Sequence, residues 1–232
     1  MGHPEQQQQQ QQHWLFHCEL DLINEIHPNL VGTGTSVDLN DPILPNSMPR
    51  GYGGVAILGK KSIDQYIRPT SDGSKRIQWI EINTERPHLI INVYLPTKSN
   101  NDQLDTYSDC FDQLYEIVQK YSTTHAIIIA GDFNEDISTK ISNSRRAVKL
   151  RTYMAECNLA TNTKDPTFVN VSGIDVSEID YFLFNKTKAY TSKRIIDVPT
   201  NVTDHHPIKI EIQCSLKRNT NTNDKLRQSG KT

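Results

Sequence analysis

The residues able to do chemistry gather at the ends of apolar runs. Ala126-Ile127-Ile128-Ile129-Ala130 leads directly into Gly131-Asp132-Phe133-Asn134. Side chains at i and i+2 of an extended segment share a face, so Asp132 and Asn134 would project together. At the end of a buried strand such a pair faces a cleft. A carboxylate and an amide there can orient a water or offer oxygens to a cation. The same Gly, Asp and Asn types also build turns, and spacing alone leaves both readings open. Further on, Thr203-Asp204-His205-His206-Pro207 precedes the apolar segment Ile208–Ile212. A histidine can move a proton near neutral pH or hydrogen-bond a developing negative charge, and it needs a carboxylate to orient its ring. Asp180, closing Ser177-Glu178-Ile179-Asp180 at the start of another apolar run, is a candidate orienter; paired histidines alone are weak support. Tyr94-Leu95-Pro96 ends a third run with a phenol, which by itself also suits a half-buried tyrosine. Three separate apolar runs therefore begin or end with groups of the kind a metal-assisted phosphoryl site uses. Neither G-x-S-x-G nor G-x-x-x-x-G-K-[ST] occurs, which argues against serine-hydrolase and phosphate-loop chemistry.

The elements that must carry these residues can be read from periodicity. Residues 13–27 show a helical apolar stripe (Trp14, Leu15, Cys18, Leu22, Ile23, Ile26) that stops before Pro28. Residues 39–54 hold three prolines and three glycines and read as a loop. Strand-like runs are expected at 55–58, 77–82, 89–95, 126–130, 167–171, 179–184, 194–198 and 208–212. Helices are expected at 102–121 and 144–157. The fully apolar run at 126–130 is the signature of a strand buried on both faces. Strands that dominate the middle and end, with helices interspersed, predict an α/β chain with a mixed sheet, or two packed sheets, flanked by helices.

Composition bounds the rest. The 232 residues suit one large domain or two small ones, and 25 Lys and Arg against 27 Asp and Glu exclude a generally polycationic nucleic-acid binder, though not a local basic groove. Arg145, Arg146, Lys149 and Arg151 on the second helix are candidate phosphate contacts, against the bland reading of a solvated helix face. No run reaches the roughly 18 apolar residues of a membrane helix, and no secretory signal is visible. The expected location is therefore cytoplasmic or nuclear, not secreted, with no membrane partner; three N-x-[ST] sequons are then coincidental. Cys18, Cys110, Cys157 and Cys214 lie far apart and read as separate reduced thiols. Residues 1–12, with glutamine throughout 6–12, are expected to be disordered, and 215–232 to form a polar basic tail, leaving a domain at 13–214.

In this order the pieces resemble the endonuclease/exonuclease/phosphatase superfamily. Gly53-Gly54-Val55-Ala56-Ile57 looks like its early strand, Asn92-Val93-Tyr94-Leu95-Pro96 like its tyrosine motif, and Gly131-Asp132-Phe133-Asn134 like its most diagnostic motif. Ser177-x-Ile179-Asp180 and Asp204-His205-His206-Pro207 resemble the last two. His13-Trp14-Leu15, Asp165-x-Thr167-Phe168 and the Asp204-His-His-Pro ending look most like endonuclease domains of non-LTR retrotransposons. The resemblance implies a DNase I-like four-layer sandwich of two packed mixed sheets flanked by helices, and divalent-metal-dependent phosphodiester hydrolysis with Mg²⁺, for which Mn²⁺ can substitute. It also implies DNA as partner, a monomer, and a reverse-transcriptase module in the parent polyprotein. By carry-over, Asp132 positions or deprotonates the attacking water with Asn134 helping. His205 contacts the phosphate with its ring held by Asp180, and Tyr94 also contacts the phosphate. Asp204 lies near the metal, and Thr167 and Phe168 lie in the DNA-contacting region. One departure stands out. Family members carry two strands before this point, the second ending in Gln-Glu with the Glu a metal ligand, and here Gln12 takes that place after a glutamine run. The expectation is an N-terminally truncated domain with impaired catalysis. A catalytically dead relic that at most binds nucleic acid is the alternative, and an inositol-phosphate or lipid phosphatase of the same fold is less favoured.

Overall fold

The structure is a computed structural model that describes residues 9–39, 53–70, 72–98, 104–137, 143–162, 165–185, 193–196, 198 and 203–217, with residues 9–12 described by their backbone only. Two sheets face each other. The smaller is antiparallel, in the order β1 (Gln9–Gln12), β3 (Val55–Lys60), β2 (Leu30–Thr35). The larger has six strands in the order β4 (Ile67–Pro69), β5 (Ile77–Ile82), β6 (His88–Tyr94), β7 (Ala126–Asp132), β11 (Asp180–Asn185), β8 (Leu159–Thr161). Among the described residues only β6 and β7 pair in parallel, joined through helix α1 (Leu104–Tyr121) as a parallel pair requires. Among the described residues two short ribbons accompany the sheets, β9 (Phe168–Val169) with β10 (Asp175–Ser177) and β12 (Arg194–Ile195) with β13 (Ile208–Lys209).

Strand alternation sorts the side chains into two cores. Ile91, Val93, Ile127, Ile129, Tyr181 and Leu183 face α1 and α2 (Arg145–Glu156), meeting Tyr107, Phe111, Leu114, Val118, Leu150 and Tyr153. Their neighbours Ile80, Ile82, Ile90 and Ile128 face the small sheet and meet Ile57, with Phe182, Ile210, Ile212 and Leu216 filling in. A 3₁₀ helix, His17–Glu25, lays Ile23 on Ala56 and Leu58 over the outer face of the small sheet. The order helix, sheet, sheet, helix is the expected four-layer sandwich.

Several elements differ from their sequence expectation. The 13–27 helix begins only at His17, because Trp14 has φ 53°, outside the helical region, and it winds as 3₁₀. Gln9–Gln12, expected to be disordered, is extended: Gln9–Gln12 pairs in register with Leu58 back to Val55, whose exposed ladder groups supply its hydrogen bonds. Residues 1–8 of that segment, 40–52 of the expected loop and 218–232 of the expected tail lie outside the described residues. Strand β2 had no counterpart in the sequence reading. The 167–171 strand stops at Val169, because the Asn170 carboxamide accepts from the amides of Ser172 (2.9 Å) and Ile174 (3.0 Å) and turns the chain. The segments at 194–198 and 208–212 likewise pair over two residues each. Among the described residues no helix is long and apolar enough to cross a membrane.

Candidate active site

Register places three candidate residues side by side. Tyr94 pairs with Asp132 across the parallel β6–β7 ladder, and Asp132 pairs with Asp180 across the antiparallel β7–β11 ladder. Asp132 and Asp180 are in phase with Ile128 and Phe182, so they belong to the face turned toward the small sheet, at the strand ends where the cleft opens. Further down the same face the sheets are tied by polar contacts. The Asn92 amide donates to the Ala56 carbonyl (2.9 Å), and the Thr35 hydroxyl donates to the Gln78 carboxamide.

The backbone at Gly131 is what brings the row together. Its φ is 135°, and a Cβ there would lie 2.0 Å from the Val93 carbonyl oxygen, so the site requires glycine. Past it, Asn134 takes a left-handed conformation (φ 51°), one that Asn tolerates. Asn134 folds back on Asp132: its backbone amide reaches Oδ1 and its Nδ2 reaches Oδ2, both at 2.8 Å, and Nδ2 also donates to the Leu95 carbonyl at 2.8 Å. The pair thus forms a turn that also holds the Asp132 carboxylate and the Asn134 carboxamide together.

His205 arrives from the C-terminal segment, its Nδ1 2.9 Å from Asp180 Oδ2. Burial alone would lower the imidazole pKa, but the hydrogen bond and charge of Asp180, with Asp132 and Asp204 behind it, raise it to about 9. Asp132 is pushed up to about 7, by burial first and by the Asp180 carboxylate second, against the opposing His205 charge and the Asn134 hydrogen bonds. Two groups with such displaced values in one mouth form an acid–base pair suited to neutral pH: a carboxylate able to accept a proton beside an imidazolium able to donate one.

The remaining candidates fall into two groups. Tyr94 is half-buried at the mouth, with the Arg76 guanidinium 5.2 Å from its ring centroid and 3.2 Å from its carbonyl. Asp204 is exposed beside His205. Phe168 sets its ring edge-on to His205 at 5.5 Å, and Arg145 is exposed on α2. Thr167 and Arg146 are corrections. Thr167 is fully buried, and its hydroxyl accepts from the amides of Ile179 (3.1 Å) and Asp180 (3.0 Å). It fixes the start of β11 and cannot meet DNA. Arg146 is 2% exposed, its guanidinium turned inward to the Pro96 and Thr97 carbonyls. The basic strip expected on α2 is thereby broken, and Lys149 lies 3.6 Å from Asp112.

Sequence reasoning missed a buried ion pair beneath Asp180. Lys193 and Glu178 are hydrogen-bonded with side chains 2% exposed each, and the ammonium lies 5.8 Å from the Tyr181 ring centroid. No local pattern around Lys193 signals this. For Arg146 a signal existed: Arg146, Leu150 and Tyr153 fall at i, i+4 and i+7, on the stripe that enters the core.

The donor set limits what cation the mouth can hold. Among the described residues no group of three or more His, Cys, Asp and Glu side chains is placed to hold a metal ion. Both Asp132 oxygens take Asn134 donors and Asp180 Oδ2 takes His205. A closed protein cage is excluded for these residues. They fit the sparser mode in which Mg²⁺ uses one or two carboxylates and completes its shell from water and substrate phosphate. Position 12 is level with Val55, as is Thr35, at the end of the small sheet.

Comparison with known proteins places the fold. Residues 88–209 match the family model described as endonuclease-reverse transcriptase. The endonuclease domain of TRAS1, a telomere-specific non-LTR retrotransposon, superposes with a TM-score of 0.61 at 14% identity, over 80% of this chain and 79% of that one. A 3′ phosphatase from Neisseria, NExo, bound to product DNA hairpin, gives 0.61 at 17% identity over 90% and 89%. A mannosyl-6-phosphatase from Bacteroides thetaiotaomicron gives 0.56 at 15% identity over 85% and 82%. At such identities the structural likeness concerns the fold, which nucleases and phosphatases share.

Proposed function

The chain belongs to the endonuclease-reverse transcriptase family, within the endonuclease/exonuclease/phosphatase superfamily, and from that premise we propose that it hydrolyses phosphodiester bonds in DNA as an endonuclease of retrotransposon descent. The observation that carries the reading is the row Tyr94–Asp132–Asp180 with His205 closed onto Asp180 and Asn134 onto Asp132. Asp132 takes the proton of the attacking water, which Asn134 helps to orient. His205, kept charged and aligned by Asp180, hydrogen-bonds the phosphate oxygens as their charge builds, and the Tyr94 hydroxyl contacts the same phosphate. Phe168 and the exposed Arg145 lie on the DNA side of this reading. Asp204 and position 12 are the residues that would hold Mg²⁺, or Mn²⁺ in its place, which would supply charge compensation to the substrate phosphate. The chain acts as a monomer, beside a reverse-transcriptase module of the parent polyprotein.

A second reading rests on the short donor set: a nuclease-derived domain that binds DNA without cutting it. One assay separates them. Supercoiled plasmid is incubated with wild type and Asp132→Ala across a Mg²⁺ and Mn²⁺ series, beside salt-dependent duplex binding. Metal-dependent nicking that Asp132→Ala abolishes supports the endonuclease. Folded wild type as silent as the variant, with salt-sensitive binding retained, gives the second reading. Preferential release of phosphate from inositol or sugar phosphates would refute both.

A further inference from the structure

Arg146 does more than fill the core. Its guanidinium forks onto two successive backbone carbonyls, Pro96 and Thr97 (3.2 Å to the latter), and its Cζ lies 4.6 Å from the Tyr107 ring centroid. Those carbonyls belong to the segment leaving β6 directly after Tyr94. The next carbonyl back, Leu95, accepts the Asn134 Nδ2 that also holds Asp132, and the Leu95 amide donates to the Asp132 carbonyl at 2.9 Å. Tyr107, under the guanidinium, donates its hydroxyl to the Phe133 carbonyl at 3.1 Å, between Asp132 and Asn134. Two short paths thus run from one buried cation to the same two site residues, one through the 95–97 backbone and one through Tyr107. Neighbouring contacts dock the helix start in the same place. The cap residue Ser144 accepts from Ala147 N (3.0 Å) and donates to Glu135 (2.6 Å), which pairs with Lys98 (2.8 Å).

We propose that Arg146 is a positioning residue for the site: by clamping the Pro96 and Thr97 carbonyls and backing Tyr107, it sets where Asn134 holds Asp132. The claim rests on the endonuclease reading for its effect on rate, and on geometry alone for its effect on Asn134. The guanidinium reaches the two carbonyls with separate nitrogens, Nη1 to Pro96 and Nη2 to Thr97, held in one rigid plane; a lysine ammonium offers a single nitrogen without that fixed fork.

The test compares wild type, Arg146→Lys and Arg146→Met in the full chain. Asn134 side-chain amide signals, assigned with Asn134→Ser, are followed by NMR, together with near-UV circular dichroism, duplex affinity and nicking kinetics. We expect Arg146→Lys to fold, to move the Asn134 amide signals, and to lower kcat by about 10- to 100-fold, the scale of a misplaced reacting group. KM and duplex affinity stay within about twofold. Arg146→Met shows the same pattern more strongly; if it does not fold, Arg146→Lys decides. Unmoved Asn134 signals in folded Arg146→Lys overturn the proposal, whatever the melting temperature does. So does a weaker duplex affinity with a salt slope smaller by about one, which would make Arg146 a phosphate contact. If wild type cuts no DNA, the endonuclease reading falls and the Asn134 signals alone decide the positioning claim.

Discussion

Replacing Asp180 by Asn tests the electrostatics of the mouth at its most connected point. In the wild type the His205 imidazole is carried from its ordinary 6.5 to about 9, against its own burial, chiefly by Asp180. At 1.36 kcal/mol per pH unit the full displacement corresponds to about 3 kcal/mol. The imidazole side chain is 32% exposed against 14% for Asp180, so solvent screening cuts the figure, and about 1–2 kcal/mol is the reasonable size. A raised histidine stabilises the fold fully below 6.5 and loses that contribution as pH rises through about 9. Asp180→Asn should therefore lower stability by about 1–2 kcal/mol at pH 6 to 7, with the gap closing toward pH 10. The His205 midpoint, followed by NMR titration of its ring Cε1 proton and assigned with His205→Gln, should fall by more than about one pH unit. Asp132, freed from a neighbouring carboxylate, should titrate lower than its wild-type value of about 7. A His205 midpoint that stays near 9 in the folded variant would refute the reasoning, since the ring would then owe its charge to something other than the 2.9 Å contact.

On the endonuclease reading, the same two groups should give cleavage a bell-shaped pH profile, rising as Asp132 loses its proton through about 7 and falling as His205 loses its own through about 9; a profile flat across pH 6 to 10 would contradict it. Lys193→Met leaves the buried Glu178 carboxylate without its ammonium and should cost about 3–5 kcal/mol by urea unfolding. The double variant Lys193→Met with Glu178→Leu should recover a large part of that. Gly131→Ala meets both a positive φ and the Val93 carbonyl, and should lower stability by more than about 3 kcal/mol, measured as a fall in melting temperature.

Strand order and chemistry were unequally visible in the sequence. Strong apolar runs such as 77–82, 89–95 and 126–130 announced the central sheet, and the polar groups at their ends pointed to one mouth, because register brings strand ends together. The pieces that escaped depend on contacts rather than composition. Leu30-Val-Gly-Thr-Gly-Thr35 carries two glycines that weaken strand propensity, and becomes β2 because Ile23 packs over Gly32 and Gly34, where a Cβ would collide with it. Gln9–Gln12 has no apolar pattern and is extended because Val55–Leu58 offers an edge. Charge and motif alone make Thr167 and Arg146 look like surface contacts, whereas their burial is decided by what surrounds them: amides of Ile179 and Asp180 for one, carbonyls of Pro96 and Thr97 for the other.

The row Tyr94–Asp132–Asp180 has a kinetic consequence. Each member sits on a different strand, one junction is the parallel β6–β7 crossover around α1, and His205 joins from 25 residues beyond Asp180. Every one of these is a non-local closure whose chain entropy is lost before the contact forms. The mouth can therefore exist only after the six-stranded sheet has assembled in register. A half-made chain emerging from the ribosome carries all of its early candidate residues without their arrangement, which is complete only once the C-terminal segment has docked.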